Sequence, residues 1–332
     1  MGQGTPRPIL ALQVFLTFVT GRSAFQQKAN EVFVREPGSR FLEGPRPVAT
    51  EAKKDWEFAW LSEAAYGRSS LNNVSNACCN SPVVEAASSA SPALAQSRAD
   101  PGRADAELLK AGWSPWLGFP DPELSKKITE SNLRVEVWEK KEPASVAVAF
   151  GGTVFASGKD WKSNLRWFLP FHQYEYTEIV SVFGPAFARE FTRRAEEPSG
   201  RYLSEAAVYS TGHSLGGGLA QQFAYSLPID ASVPRVRHVC AFDPSPVTGF
   251  YSVCRRTRDI NKHSLSIDRI YERGEILAIA RSLTSSISPP SEADPRIRGI
   301  RYSLFYTVNP ISGHSMWEFA STLQVAAGHA SC

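Results

Sequence analysis

The stretch AAVYSTGHSLGGGLAQQFAYSL, residues Ala206–Leu227, decides the fold. Its opening, Ala206 to Tyr209, reads as a strand, and Leu215 to Leu227 carries apolar residues at helical spacing. Between them stands Gly212-His213-Ser214-Leu215-Gly216, with Gly217 and Gly218 directly behind. A serine on so sharp a strand-to-helix turn has strained backbone dihedrals, so the residues two positions to either side must be small. Its hydroxyl then projects from the end of the sheet, and the amide of Leu215 points into the same space. That amide stands at a helix start, where unpaired N–H groups and the helix dipole favour an anion.

Outward from this turn the chain alternates strand with helix. Leu133 to Lys140 and Ser145 to Phe150 suggest paired strands. Glu178 to Arg194 reads as helix, Arg237 to Phe242 and Ser266 to Tyr271 as strands, Ile300 to Tyr306 as strand and Met316 to Ala326 as helix. Strands alternating with helices imply parallel crossover units, hence an α/β fold with a mostly parallel sheet covered by helices on both faces. Towards the amino terminus, Trp56 to Tyr66 has apolar residues at helical spacing, and residues 25–52, broken by Pro37, Pro45 and Pro47, read as an extended arm. Ser69 to Asp105 is rich in Ser, Ala and Asn, the pattern of a poorly packed surface insertion. The reading is one domain over residues 24–332.

The first 23 residues form a separate segment. Arg7 precedes a mostly apolar run from Ile9 to Val19, and Gly21, Ser23 and Ala24 follow it. The run is shorter than the ~20 residues that cross a bilayer as a helix. A basic start, a short apolar centre and small residues behind it match a signal peptide cleaved after Gly21 or Ser23, so the expectation is a secreted or periplasmic protein with no transmembrane segment once mature. Lys plus Arg number 36 against 33 for Asp plus Glu, a net charge of +3. So even a balance makes no electrostatic case for nucleic acid. The spacing of Cys78, Cys79, Cys240, Cys254 and Cys332 resembles no zinc site, so no metal is expected. Cys240 with Cys254 is a candidate bridge in an exported protein.

A serine nucleophile needs a base, and the base an orienting acid. In elbows of this type they follow the serine in the order acid, then histidine. His172 and His213 precede Ser214; His238 falls in an expected strand, His263 in a polar segment and His329 near the carboxyl terminus. His314, in Ser312-Gly313-His314-Ser315, lies in the loop between the last strand and last helix, where the base belongs. Asp243 and Glu275 each follow an expected strand, so both reach the carboxyl edge of the sheet.

These residues resemble the class 3 lipase family of α/β-hydrolases. AFGGT (Ala149 to Thr153) is similar to that family's strand ending in a Phe-x-Gly-Ser/Thr turn, and Asp160-Trp161 with Asn164 to its Asp-Trp segment. GHSLGGGLA (Gly212 to Ala220) is nearly its nucleophile signature, and LSEAAYG (Leu61 to Gly67) is similar to the helix before its core. The resemblance runs from about residue 55 to 328, with 69–130 poorly covered. It implies the α/β-hydrolase fold and ester hydrolysis on acylglycerols or other lipid esters, with Thr153 as an oxyanion-hole residue beside Leu215. It also implies a cover over the site from Val154 to Tyr176, a stretch crowded with Trp161, Leu165, Trp167, Phe168, Leu169 and Phe171. The chain departs from the family at Gly151, where Arg is usual, at Asp243-Pro244-Ser245-Pro246 in place of a Gly-x-Pro turn, and at Glu275, where the acid is usually Asp.

The expected reaction is therefore serine ester hydrolysis through an acyl-enzyme, at a lipid–water interface and with no cofactor. Ser214 is the nucleophile, His314 the base and Glu275 the acid, with Asp243 as the alternative acid. Two other readings use the same residues: acyl transfer or thioester hydrolysis, and an inactive secreted binding protein on a hydrolase scaffold.

Overall fold

A computed structural model describes residues 30–74, 101–130, 133–152, 173–230, 232–245, 248–273, 294–304 and 315–329. The segment SVAVAFG, strand β5 (Ser145–Gly151), shows how the sequence builds the layers. Its side chains alternate between two faces. Val146, Val148 and Phe150 enter one core with Leu219 and Phe223, while Ala147 and Ala149 face a second core with Trp60 and Phe319. Valines and a phenylalanine fill one side, and alanines let a helix come close on the other.

The strands are β1 (Glu31–Arg35), β2 (Glu43–Arg46), β3 (Trp113–Pro115), β4 (Arg134–Lys140), β5, β6 (Ala207–His213), β7 (Val236–Phe242), β8 (Ser266–Glu272) and β9 (Arg296–Ser303). Among the described residues they make a nine-stranded sheet in the order β2-β1-β9-β8-β7-β6-β5-β4-β3. Strands β5 to β9 are mutually parallel, and antiparallel pairs stand at both ends. The helices are α1 (Val48–Val74), α2 (Pro101–Lys110), α3 (Pro122–Glu130), α4 (Gln173–Glu196), α5 (Leu215–Ser226), α6 (Arg255–Asn261) and α7 (Met316–Ala326). Helices α3, α4 and α5 bury Ile128, Phe183, Phe187, Leu219 and Phe223 against one face. Helices α1, α2 and α7 bury Trp56, Trp60, Leu108, Phe319 and Leu323 against the other. The chain is α/β, a mixed sheet between two helical layers, and none of the described helices is long and apolar enough to cross a membrane.

Beneath α1 the packing is partly polar. Trp60 Nε1 donates to Gln324 Oε1 at 2.9 Å, Ser62 and Thr211 share a hydrogen bond at 2.7 Å, and the Tyr302 hydroxyl donates to Asp55 Oδ2 at 2.7 Å. Asp268 Oδ1 accepts from Arg298 Nε at 2.7 Å, and Glu51 lies 3.4 Å from the same guanidinium. The Asp268–Arg298 bond joins β8 to β9, and each of the others ties α1 to a particular strand or to α7, so the helix has one register on the sheet.

Several expectations change. Residues 25–52 are more than an extended arm in their described part: β1 pairs with β9, Val32 and Val34 are fully buried, and α1 begins at Val48. The insertion expected over 69–105 is helical at both of its ends, to Val74 and from Pro101, with Ala104 buried; its centre, 75–100, lies outside the described residues. The bridge between Cys240 and Cys254 does not form, because both are free thiols. Cys240 is buried in the core beneath α1, whereas Cys254 is exposed at the start of α6.

Candidate active site

Strand β6 lies between β5 and β7, with Phe150 beside Gly212 and Phe242 beside His213. At its end Ser214 has φ 57° and ψ −121°, and α5 begins at the next residue. An L-residue at positive φ is strained, and such strain persists only where the surroundings impose it. Here they do. The Ser214 amide donates to Phe242 O at 2.9 Å, while its carbonyl accepts from Gly217 N at 3.1 Å and Ser245 N at 2.9 Å. The flanking glycines are required sterically: a Cβ on Gly212 would stand 2.7 Å from Phe150 O and collide with Gly216 O, and one on Gly216 would collide with Phe150 O. The turn expected from G-x-S-x-G is thus present, its serine almost fully buried. The Leu215 amide, in the first turn of α5, has no hydrogen-bond partner among the described residues.

The end of β5 approaches the elbow closely. A Cβ on Gly152 would collide with the Tyr66 hydroxyl and stand 2.7 Å from His213 O. Tyr66, on α1, bridges the end of β5 and the elbow: its hydroxyl lies against Gly152 and 2.8 Å from His213 Nδ1. A phenol has one proton to give. Donating it to Nδ1 leaves the imidazole proton on Nε2, facing Asp243 Oδ2 at 3.9 Å. Burial, and after it the charge of Glu63, raises the Tyr66 hydroxyl well above its ordinary value, so it stays protonated. Burial alone pushes Glu63 up to about 8. Gly151, where the lipase family usually has arginine, has no room for a side chain, since its Cβ would meet Ala65 O at 2.8 Å. The cross-strand Arg134 instead donates to Tyr66 O at 3.1 Å.

Asp243 follows β7 directly, at positive φ (39°) and almost fully buried. Its amide donates to Ile270 O at 2.7 Å, and its Oδ1 accepts from Glu272 N at 3.3 Å. Glu272, at the end of β8, accepts from Leu304 N at 2.8 Å and so ties β8 to the exit of β9. The structure therefore brings Ser214, Leu215 and Asp243 to one sheet edge. Thr153, Glu275, His314 and most of the expected cover lie outside the described residues.

The other described histidines are engaged away from Ser214. His238 Nε2 lies 3.3 Å from Asp268, His263 Nδ1 lies 2.6 Å from Asp294, and the His329 ring packs on Trp56 at 4.6 Å. His263 precedes β8, at the sheet edge opposite the elbow. The sequence reading missed Tyr66 and His213 as members of the site. The signal available was Tyr66 ending the LSEAAY helix; its contact with the elbow is a matter of tertiary packing.

Residues 107–233 match the family model of the Tle-like phospholipase domain, a phospholipase-like family. The matched segment holds β3 to α5, and hence the whole elbow. No curated protein matches the chain. The match supports a family of lipase or phospholipase type and lipid ester hydrolysis as the class of activity; it does not single out the class 3 lipases that the elbow resembles.

Proposed function

We propose that this protein is a serine carboxylic ester hydrolase of the α/β-hydrolase fold that acts on lipid esters, phospholipids among them. The observation that carries the reading is the backbone of Ser214, held at φ 57° where β6 turns into α5. A buried serine kept in a strained conformation by glycines that admit no side chain is built to present its hydroxyl. The phospholipase-type match over the same segment directs the chemistry to lipid esters.

In this mechanism Ser214 Oγ attacks the ester carbonyl, and His314 takes its proton and returns it to the leaving alcohol. Glu275 orients the imidazole and stabilises its charged form, with Asp243 the alternative in that role. The amides of Thr153 and Leu215 hold the oxyanion, and loss of one such donor typically costs about 3 kcal/mol of transition-state stabilisation. Water, activated by the same histidine, releases the acyl group. The apolar leader over residues 1–23 makes export part of the proposal, checked by the amino-terminal sequence of the mature protein.

A panel of dissolved short-chain esters, triacylglycerols and phospholipids, assayed with the parent and Ser214→Ala, tests the reading. Fatty acid release from phospholipid by the parent and none by the variant is the expected result. Release that persists in Ser214→Ala, or none from any ester, would refute it.

A further inference from the structure

The two faces of the sheet at β8, β9 and β1 treat their arginines differently. On the α1 face, Arg298 is neutralised by Asp268 and Glu51. On the opposite face Arg269, Gly299 and Arg35 form one cross-strand row, and Tyr271, Arg301 and Phe33 form the next. Gly299 has no side chain, and Arg35 lies across it, its Nε 3.6 Å from where a Cβ would stand. Arg269 Nε donates only to a neutral group, Gln221 Oε1, at 3.1 Å. The Arg301 guanidinium lies 4.8 Å from the centre of the Phe33 ring, and its buried Nε has no hydrogen-bond partner among the described residues. None of the three has an acidic partner among the described residues. Glu31, the acid on this face of β1, forms no ion pair with them.

Burial holds the Arg269 guanidinium below its ordinary value, and nearby Arg35 adds to this while Tyr225 opposes it. Half-buried cations are normally paired, because a desolvated charge without a counter-charge is costly. Three of them on one patch of sheet call for an anion with several acceptor oxygens. Guanidinium forks match the oxygens of a phosphate group, which accepts two parallel hydrogen bonds from each.

We propose that Arg35, Arg269 and Arg301 form a binding site for a phosphate group. The site stands apart from the hydrolase reading, although its position suits a lipid. Arg301 is level with Tyr271, one residue beyond the Ile270–Phe242–His213 row that leads to Ser214. With strands ~4.8 Å apart, β9 lies about 14 Å from β6. The phosphate is either the diester of a lipid headgroup or a free phosphate, and the two are separable.

The test is thermal unfolding of the full chain in inorganic phosphate against chloride at equal ionic strength, with glycerophosphocholine as the diester probe. The expected result is a saturating rise in midpoint of about 4 °C or more in phosphate. Arg35→Gln should weaken phosphate binding at least tenfold. Arg35→Gln/Arg301→Gln should abolish the response and unfold at a higher midpoint than the parent without phosphate, since the repelling charges are gone. A rise with glycerophosphocholine identifies a headgroup site, and a rise with inorganic phosphate alone a free-phosphate site. No rise over chloride, or a full response in Arg35→Gln, overturns the proposal.

Discussion

Ser214 is held in a backbone conformation that costs an L-residue ~1–3 kcal/mol, and the fold bears this strain to present one hydroxyl. Ser214→Gly removes hydroxyl and strain together. Glycine loses more chain entropy on folding, ~0.5–1 kcal/mol, so the variant should be inactive yet more stable by roughly 1 kcal/mol in urea unfolding. A variant less stable than the parent would mean that the elbow is unstrained. Tyr66→Phe deletes the hydroxyl that packs on Gly152 and bonds His213, while its ring still fills the same space. Leaving the buried His213 Nδ1 without its partner costs ~1–3 kcal/mol and loosens the contact between β5 and the elbow. The expected kinetics are a kcat about tenfold lower or worse at little-changed KM; unchanged kcat would reduce Tyr66 to a packing residue. The acid is decided by amide variants. Glu275→Gln should lower kcat by about 10⁴-fold, the loss that follows a misoriented imidazole, with Asp243→Asn much milder. The reverse pattern would transfer the role to Asp243.

At the scale of elements, the docking of α1 carries a pH signature. Burial, then repulsion by Asp268, pushes Asp55 up to about 8 from its ordinary 3.8. Between those values the folded protein binds this proton and the unfolded chain does not, so stability falls as pH rises through the window. Glu63, also pushed up to about 8, acts in the same direction. Asp268 behaves oppositely: against the cost of burial, Arg298 and His238 hold it down at about 2, and its contribution is lost only as pH drops below 4. Asp55→Asn should therefore flatten the decline between pH 5 and 8 and raise stability at pH 8, as urea unfolding across that range will show. A slope equal to the parent's would mean that Asp55 is ionised throughout. How much was legible in the sequence differs by element. Helix α7 runs from Met316 to Ala326, as its periodicity predicts, and β5 is legible because its apolar run is continuous. Strand β1 has no local signature and looks like part of an arm, since EVFVR is only five residues long and its partner β9 lies some 260 residues away. Helix α6, RRTRDIN, escaped because its short polar sequence has no apolar stripe.

For the whole molecule, sequence and structure agree most closely where local chemistry dictates geometry. Gly212, Ser214 and Gly216 specify the elbow by themselves, because nothing larger fits on either side of the serine. The partners of that serine come from other elements, so neither the Tyr66 link to His213 nor the Glu272 amide on Asp243 shows in any local motif. The family match ends at residue 233, before β7, β8 and β9, the strands that lead to both candidate acids and towards His314. Whether Ser214 is a nucleophile is read out by a fluorophosphonate probe. A competent serine displaces fluoride and forms a stable bond from Oγ to phosphorus, which peptide mass spectrometry locates. The expected result is a single adduct, on Ser214, absent from Ser214→Ala and from heat-unfolded protein. A folded chain that takes up no probe, or takes it up on another residue while Ser214→Ala still hydrolyses phospholipid, would contradict it.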